Sequence, residues 1–136
     1  MSGNCFLDTN ILIYFLSKDE IEKQKICQTL LQTKSCIIST QVLNEISNVL
    51  LKKFKLEHES VLHVISDLNS HLEVVPISFA TITLALRFSK KYKISYYDSL
   101  ILSSAYENNC SLVYSEDMQD GFVIEKKLKI KNPFAL

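Results

Sequence analysis

Short apolar runs alternate with longer stretches whose apolar residues recur every three or four positions along this chain of 136 residues. Residues 4–8 read as a first strand, and residues 9–17 are too apolar for an exposed helix, so a mostly buried one is expected. Asp19 to Lys34 reads as a second helix, with Ile21, Ile26, Leu30 and Leu31 roughly at helical spacing. Cys36-Ile37-Ile38-Ser39 is a strand-like run, and Ser39-Thr40 can cap a helix over about 41–54 that carries Val42, Ile46, Val49 and Leu50 on one face. A further helix from Glu57 to about Asn69 groups Val61, Leu62, Ile65 and Leu68, which makes residues 41–69 a helical hairpin. Residues 72–76 read as a strand closed by Pro76. Ser78 to about Tyr92 is expected as a helix with Ile82, Leu86 and Phe79 facing inward. Another helix runs from Ser95 to about Asn108, followed by a strand at 111–114 and a short one at 122–124. The tail, Glu125 to Leu136, alternates Lys with apolar residues before Pro133 and reads as an edge strand or a loosely held arm.

Strands separated by helices require crossover connections, hence a mainly parallel sheet with helices on both faces. The expected fold is α/β, a single domain spanning 1–136 without repeats or linkers. Composition agrees: 47% hydrophobic residues supply a sizeable core, and two Gly with two Pro argue against an all-β protein of many tight turns. The apolar runs end well short of a membrane span. Met1-Ser2-Gly3-Asn4 lacks the basic region and apolar core of a signal peptide, so a cytoplasmic location is expected. Cys5, Cys27, Cys36 and Cys110 are scattered, without a C-x-x-C pair, which favours reduced buried thiols over disulfides or a zinc site.

Fifteen basic residues balance fifteen acidic ones, so binding to nucleic acid would have to come from local clusters. Lys52-Lys53-Phe54-Lys55 and Lys90-Lys91-Tyr92-Lys93 are two such clusters, the latter near Tyr96 and Tyr97, which could stack on unpaired bases. Each also reads as a solvated basic helix end that complements the helix dipole. Lys126, Lys127, Lys129 and Lys131 could form a basic tail or protect an edge strand. His58, His63 and His71 share no metal-ligand spacing, and no Gly-rich phosphate loop is present.

The candidate chemistry lies in acids at the ends of elements. Asp8 follows the first strand, Glu45 lies in the second turn of the helix after the second strand, Asp98 opens the helix near Ser95, and Asp117 lies just past the strand at 111–114. In a parallel sheet these places share one edge. Clustered carboxylates stay charged only if something positive compensates, and a hard divalent cation is the usual answer. Each acid also has a local role to fill: Asp8 as a helix cap, Asp98 in a capping box with Ser95, Glu45 on a solvent-facing helix surface, Asp117 and Asp120-Gly121 in a turn.

Four segments in this order, Phe6-Leu7-Asp8-Thr9-Asn10-Ile11, Ser39-Thr40-Gln41-Val42-Leu43-Asn44-Glu45, Tyr97-Asp98-Ser99-Leu100-Ile101 and Val113-Tyr114-Ser115-Glu116-Asp117-Met118-Gln119-Asp120-Gly121, resemble the PIN-domain ribonuclease family, in particular the VapC-type toxins of bacterial toxin–antitoxin pairs. The resemblance implies metal-dependent RNA cleavage by a metal-activated water, with Mg²⁺ or Mn²⁺ as cofactor and Asp8, Glu45, Asp98 and Asp117 as an acidic quartet. It makes Asp8 and Asp98 the main metal ligands, with Glu45 binding metal directly or through water and Asp117 completing the site. Asp120 is the rival for that fourth place. Thr9, Ser115 and Asn10 match supporting polar positions. An RNA substrate, a cognate antitoxin seated in an apolar groove walled by the 41–69 hairpin, and a homodimer are further implications.

Two other families that begin with a strand-terminal Asp fit poorly. A haloacid-dehalogenase-type phosphatase needs a second Asp where Asn10 stands, and a response-regulator receiver needs an acidic pair beside Asp8. The remaining alternative is a non-catalytic PIN-like module that binds RNA or protein.

Overall fold

The computed structural model describes residues 4–135. Met1–Gly3 and Leu136, the ends of the expected 1–136 domain and the place of the leader reading, lie outside the described residues. The elements in order are β1 (Asn4–Leu7), α1 (Thr9–Leu16), α2 (Ile21–Thr33), β2 (Cys36–Ser39), α3 (Thr40–Lys52), α4 (His58–His71), β3 (Glu73–Val75), α5 (Phe79–Tyr92), α6 (Tyr96–Glu107), β4 (Cys110–Tyr114), β5 (Val123–Ile124) and β6 (Leu128–Lys131). They build one α/β domain around a six-stranded sheet of order β3-β2-β1-β4-β6-β5, parallel except where β5 meets β6.

That order decides where a site can form. From β1 the chain winds through β2 to β3 on one side, whereas β4 enters on the other. The strand order reverses between β1 and β4, and a crevice opens there beyond their carboxyl ends. Asp8 directly follows β1 and Ser115 directly follows β4, and the Asp8 amide donates to the Tyr114 carbonyl at 3.0 Å.

Strands β1 and β2 and the end of β4 are buried: Phe6, Leu7, Ile37, Ile38 and Val113 are at most 2% exposed. This explains why they read as continuous apolar runs rather than alternating ones. Helix α6 is enclosed as well, with Ser99 through Ala105 all buried.

Three expectations need correction. The inward face of α5 is Thr81, Ala85 and Phe88, whereas Phe79 (82%) and Leu86 (56%) are exposed and Ile82 sits at the surface. The reason is the close packing of α5 on α6, which places the small side chains of Thr81 and Ala85 between the helices. The Thr81 hydroxyl donates to Glu107 at 2.6 Å, and Ser103 donates to the Thr81 carbonyl at 3.1 Å. In α2 the buried positions are Cys27 and Leu30, while Ile21 faces solvent. The tail is neither edge nor arm. β6 lies between β4 and β5 with Leu128 and Ile130 buried, so its lysines do not guard a free edge, and the two-residue β5 is the outer strand.

The four cysteines are free and buried. No described helix is long and apolar enough to cross a membrane. Helix α5 starts with a full capping box, in which the Ser78 hydroxyl accepts from the Thr81 amide and the Thr81 hydroxyl accepts from the Ser78 amide. Ser78→Ala is expected to lower stability by about 1 kcal/mol, read by urea denaturation at unchanged m.

Candidate active site

Asp8 reaches its position because β1 ends at Leu7 and the chain turns directly into α1, whose first amide it caps. Its Oδ1 accepts from the Thr9 amide at 2.7 Å and its Oδ2 from the Ser115 hydroxyl at 2.7 Å. Capping and membership of the acidic cluster are therefore one arrangement. Ser115, fully buried, also accepts from the amides of Asp117 and Met118 at 3.3 and 3.2 Å and so shapes the turn after β4.

Glu45 projects from the second turn of α3, where the Thr9 hydroxyl donates to it at 2.8 Å. Helix α3 starts where it does because Ser39, the last residue of β2, caps it. Asn10 ties the two flanks of the cleft together. Its amide donates to Asp117 Oδ2 at 2.9 Å and, at 3.5 Å, to Asp8 Oδ2, while its oxygen accepts from the Glu116 amide. An Asp at position 10 would place a third negative charge between Asp8 and Asp117; an amide donates instead.

Asp98 lies in the first turn of α6. Ser95 caps that helix by accepting from the Asp98 amide at 3.3 Å. Among the described residues no return bond runs from the Asp98 carboxylate to the Ser95 amide, so the expected capping box is only half formed and the carboxylate faces the cleft.

Asp8, Glu45, Asp98 and Asp117 thus come together, with Thr9, Asn10, Ile13, Tyr14, Val49, Lys53 and Glu116, around one cleft of about 420 Å³. Asp120 does not join them. Its Oδ1 accepts from the Asn132 amide at 2.8 Å, which pins the turn at Gly121 (φ +85°) to the exit of β6.

The cleft is electrostatically unfinished. Burial pushes the Asp8 carboxyl up to about 6, with Asp98 and Glu45 adding repulsion against the opposing hydrogen bonds from Ser115 and Thr9. Asp98 is also raised, by burial first and then by Asp117, against an opposing hydrogen bond from Ser95. Among the described residues none of the ion pairs includes any of the four acids. Glu116 is the exception in the cleft: Lys23 and the Tyr14 hydroxyl both bind it at 2.5 Å and hold its carboxyl below the usual range.

An all-oxygen donor set with a buried, uncompensated carboxylate fits a hard divalent cation better than zinc, which favours nitrogen and sulfur. Among the described residues no group of three or more such side chains is drawn tightly enough to encage an ion.

Several features of the cleft had no signature in the sequence. Tyr14, Lys23 and Val49 carry no motif, and the Lys23–Glu116 pair spans 93 residues. In the basic cluster at 90–93, two side chains are engaged within the fold. Lys91 pairs with Glu125 at 2.6 Å and Tyr92 donates to the same carboxylate while packing edge-on against Phe88 and Phe122. Tyr92 is therefore not free to stack on a base.

A second, larger cavity of about 680 Å³ lies away from these acids. It is a groove of α1, α2 and α4, lined by Phe15, Leu16, Leu31, Val64 and Leu68 among others. Only α4 of the 41–69 hairpin contributes a wall; α3 does not.

Comparison with curated proteins returned no match. Among solved structures, a toxin–antitoxin complex from Klebsiella pneumoniae is similar at TM-score 0.72 and 20% identity, covering 98% of this chain and 100% of that one. VapC20 from Mycobacterium tuberculosis, described as a sarcin–ricin-loop-cleaving toxin, is similar at TM-score 0.69 and 15% identity, covering 84% of this chain and 90% of that one. DNA-bound VapBC from Salmonella typhimurium is similar at TM-score 0.67 and 20% identity, covering 98% and 99%. At these identities the likeness is one of fold. The model of the PIN domain family matches residues 5–120, and the chain belongs to that family.

Proposed function

We propose that this chain is an endoribonuclease that depends on Mg²⁺ or Mn²⁺ and uses Asp8, Glu45, Asp98 and Asp117, and that it is the toxin of a toxin–antitoxin pair. The observation that carries the reading is the convergence of four carboxylates, from four separate segments, on the crevice where the strand order reverses. PIN-domain membership and the toxins among the similar folds support it.

Asp8 and Asp98 are the residues to hold the cation, being the two whose protonation is most favoured without one. When bound, the cation supplies Lewis-acid chemistry, lowering the pKa of a water and neutralising charge that develops on a phosphate. Glu45, fixed by Thr9, orients the attacking water. Asn10 and Ser115 keep Asp8 and Asp117 aimed into the cleft. Tyr14 and Lys23 neutralise Glu116, so it adds little repulsion toward an incoming polyanion.

The test is cleavage of total RNA with end mapping, titrated with Mg²⁺ and Mn²⁺, for the parent and Asp8→Asn. Metal-dependent cleavage by the parent alone is expected. RNA binding without metal-dependent cleavage by the parent would favour the non-catalytic binding module.

The α1–α2–α4 groove is the proposed seat of an antitoxin helix, and the exposed apolar row Phe79, Ile82 and Leu86 on α5 is the proposed homodimer face. Val64→Glu, which puts a charge in the groove at a half-buried position, is expected to abolish co-purification with the product of the adjacent gene. A complex that survives this change moves the antitoxin elsewhere.

A further inference from the structure

Of the five carboxylates that line the cleft, Glu116 is paired with Lys23, and the other four, Asp8, Glu45, Asp98 and Asp117, form a wall that repels a polyanion. Among the described residues lining it, Lys53 is the one basic side chain. Other lysines near sites of interest are committed: Lys23 to Glu116, Lys91 to Glu125, Lys127 to Asn109. Lys53 is exposed and, among the described residues, takes part in no ion pair.

Its position follows from helix geometry. Glu45, Val49 and Lys53 stand four residues apart and form one ridge of α3 along the cleft. Lys53, the C-cap residue, keeps right-handed helical angles (φ −85°, ψ −47°), so the ridge continues through it. Eight residues of helix separate its Cα from that of Glu45 by about 12 Å, and helical side chains lean back toward the amino terminus. Lys53 therefore lines the α3 side of the cleft, with its ammonium group 5.9 Å from the Phe54 ring centroid and paired with none of the acids.

We propose that Lys53 positions the substrate by holding a backbone phosphate that flanks the one cut at the acids. This rests on the ribonuclease reading. A compact ammonium on a flexible stem suits a non-bridging phosphate oxygen and carries no base preference. The neighbouring Val49 adds an apolar surface on the same ridge, over which a ribose can lie.

Lys53→Met keeps the stem and removes the charge. In steady-state cleavage of a short single-stranded RNA it is expected to raise KM several-fold with kcat unchanged, and Lys53→Arg to restore the parent KM. Binding of the same fluorescein-labelled RNA is read separately by anisotropy in the Asp98→Asn background, which stops turnover. There, Lys53→Met is expected to weaken binding several-fold and to reduce the slope of log K against log salt by about 0.7, the loss of one phosphate contact on a single strand. Lys55→Met, outside the cleft lining, is the comparison and is expected to leave the slope unchanged. An unchanged KM and salt slope, with only a lower Tm, would assign Lys53 to the helix end and overturn the proposal. A parent that binds RNA but never cleaves it defeats the ribonuclease reading, while the anisotropy series still decides Lys53.

Discussion

Asp98→Asn is expected to lower kcat/KM for RNA cleavage by at least about 10³-fold, and Asp8→Asn by a similar factor. A thousandfold loss corresponds to roughly 4 kcal/mol of transition-state stabilisation, within the range attributed to a Lewis-acid metal and the groups that hold it. Asp98 is the cleaner of the two changes. Its backbone amide makes the capping bond to Ser95, and an amide side chain leaves that bond in place. Asp8 has more to lose, since its two oxygens accept from Thr9 and Ser115. Asp117→Asn is expected to cost about 10- to 100-fold, as for groups that support a metal site from its margin. Asp120→Asn should keep the parent rate, because that carboxylate is bonded to the Asn132 amide outside the cleft. Steady-state rates on one defined RNA check all four. Persistent cleavage by Asp8→Asn or Asp98→Asn, after contaminating nucleases are excluded, would sink the assignment, and a reversed order of Asp117 and Asp120 would move the fourth acid.

The second large effect is on the stability of the metal-free protein. Burial and neighbouring acids raise the Asp8 carboxyl from 3.8 to about 6, so the folded state binds that proton more tightly than the unfolded chain does. The sign follows directly. The cost of the ionised group is absent below pH 3.8, grows as pH rises between 3.8 and 6, and is complete above 6. Its full size is roughly 3 kcal/mol, and the upward displacement of Asp98 acts in the same direction. Glu116 works oppositely, since its stabilising contribution is lost only as pH falls below the ordinary carboxylate range. Between pH 5 and 7, then, metal-free protein should lose stability as pH rises, and Asp8→Asn should flatten that slope. Adding Mg²⁺ or Mn²⁺ at pH 7 should raise Tm in the parent by mass action and not in Asp8→Asn. Urea denaturation in EDTA across this range, with a matching metal titration, reads both. Stability that rises from pH 5 to 7 in EDTA would remove the electrostatic basis for a cation at Asp8.

The two effects share a cause. A cleft that keeps four carboxylates close, one of them only 7% exposed, is costly to the fold when it holds no cation and effective when it does. Asn10 shows how finely the cost is contained, because one amide donates to Asp117 and Asp8 together.

Much of this was legible in the residues. The apolar runs at 4–8, 36–39 and 111–114 marked parallel strands because strands covered on both faces need apolar residues at every position. Each candidate acid then stood just after such a run or just inside a helix, and these local signals survive folding because they are local. The inward face of α5 was misread because helical periodicity reports where apolar residues lie, not which face a neighbouring helix approaches most closely. Thr81 and Ala85 are inward because they are small, and Phe79 and Leu86 are left outside. Alternation of Lys and apolar residues in 125–131 suited an edge strand equally well as the interior place β6 takes.

By itself, then, the sequence determined the alternation of strands and helices, the strand-end position of Asp8 and the order of the acids. Tertiary structure alone decided that Asp117 enters the cleft while Asp120 caps a turn three residues on. It also decided that Lys23 silences Glu116 from 93 residues away and that Lys53 lines the same cleft as the acids. The physical reason is range. Capping, periodicity and burial pattern act within one element, whereas a side chain's charge partner is set by which strand edge lies beside which. At the end of Phe6-Leu7-Asp8, that neighbour is β4.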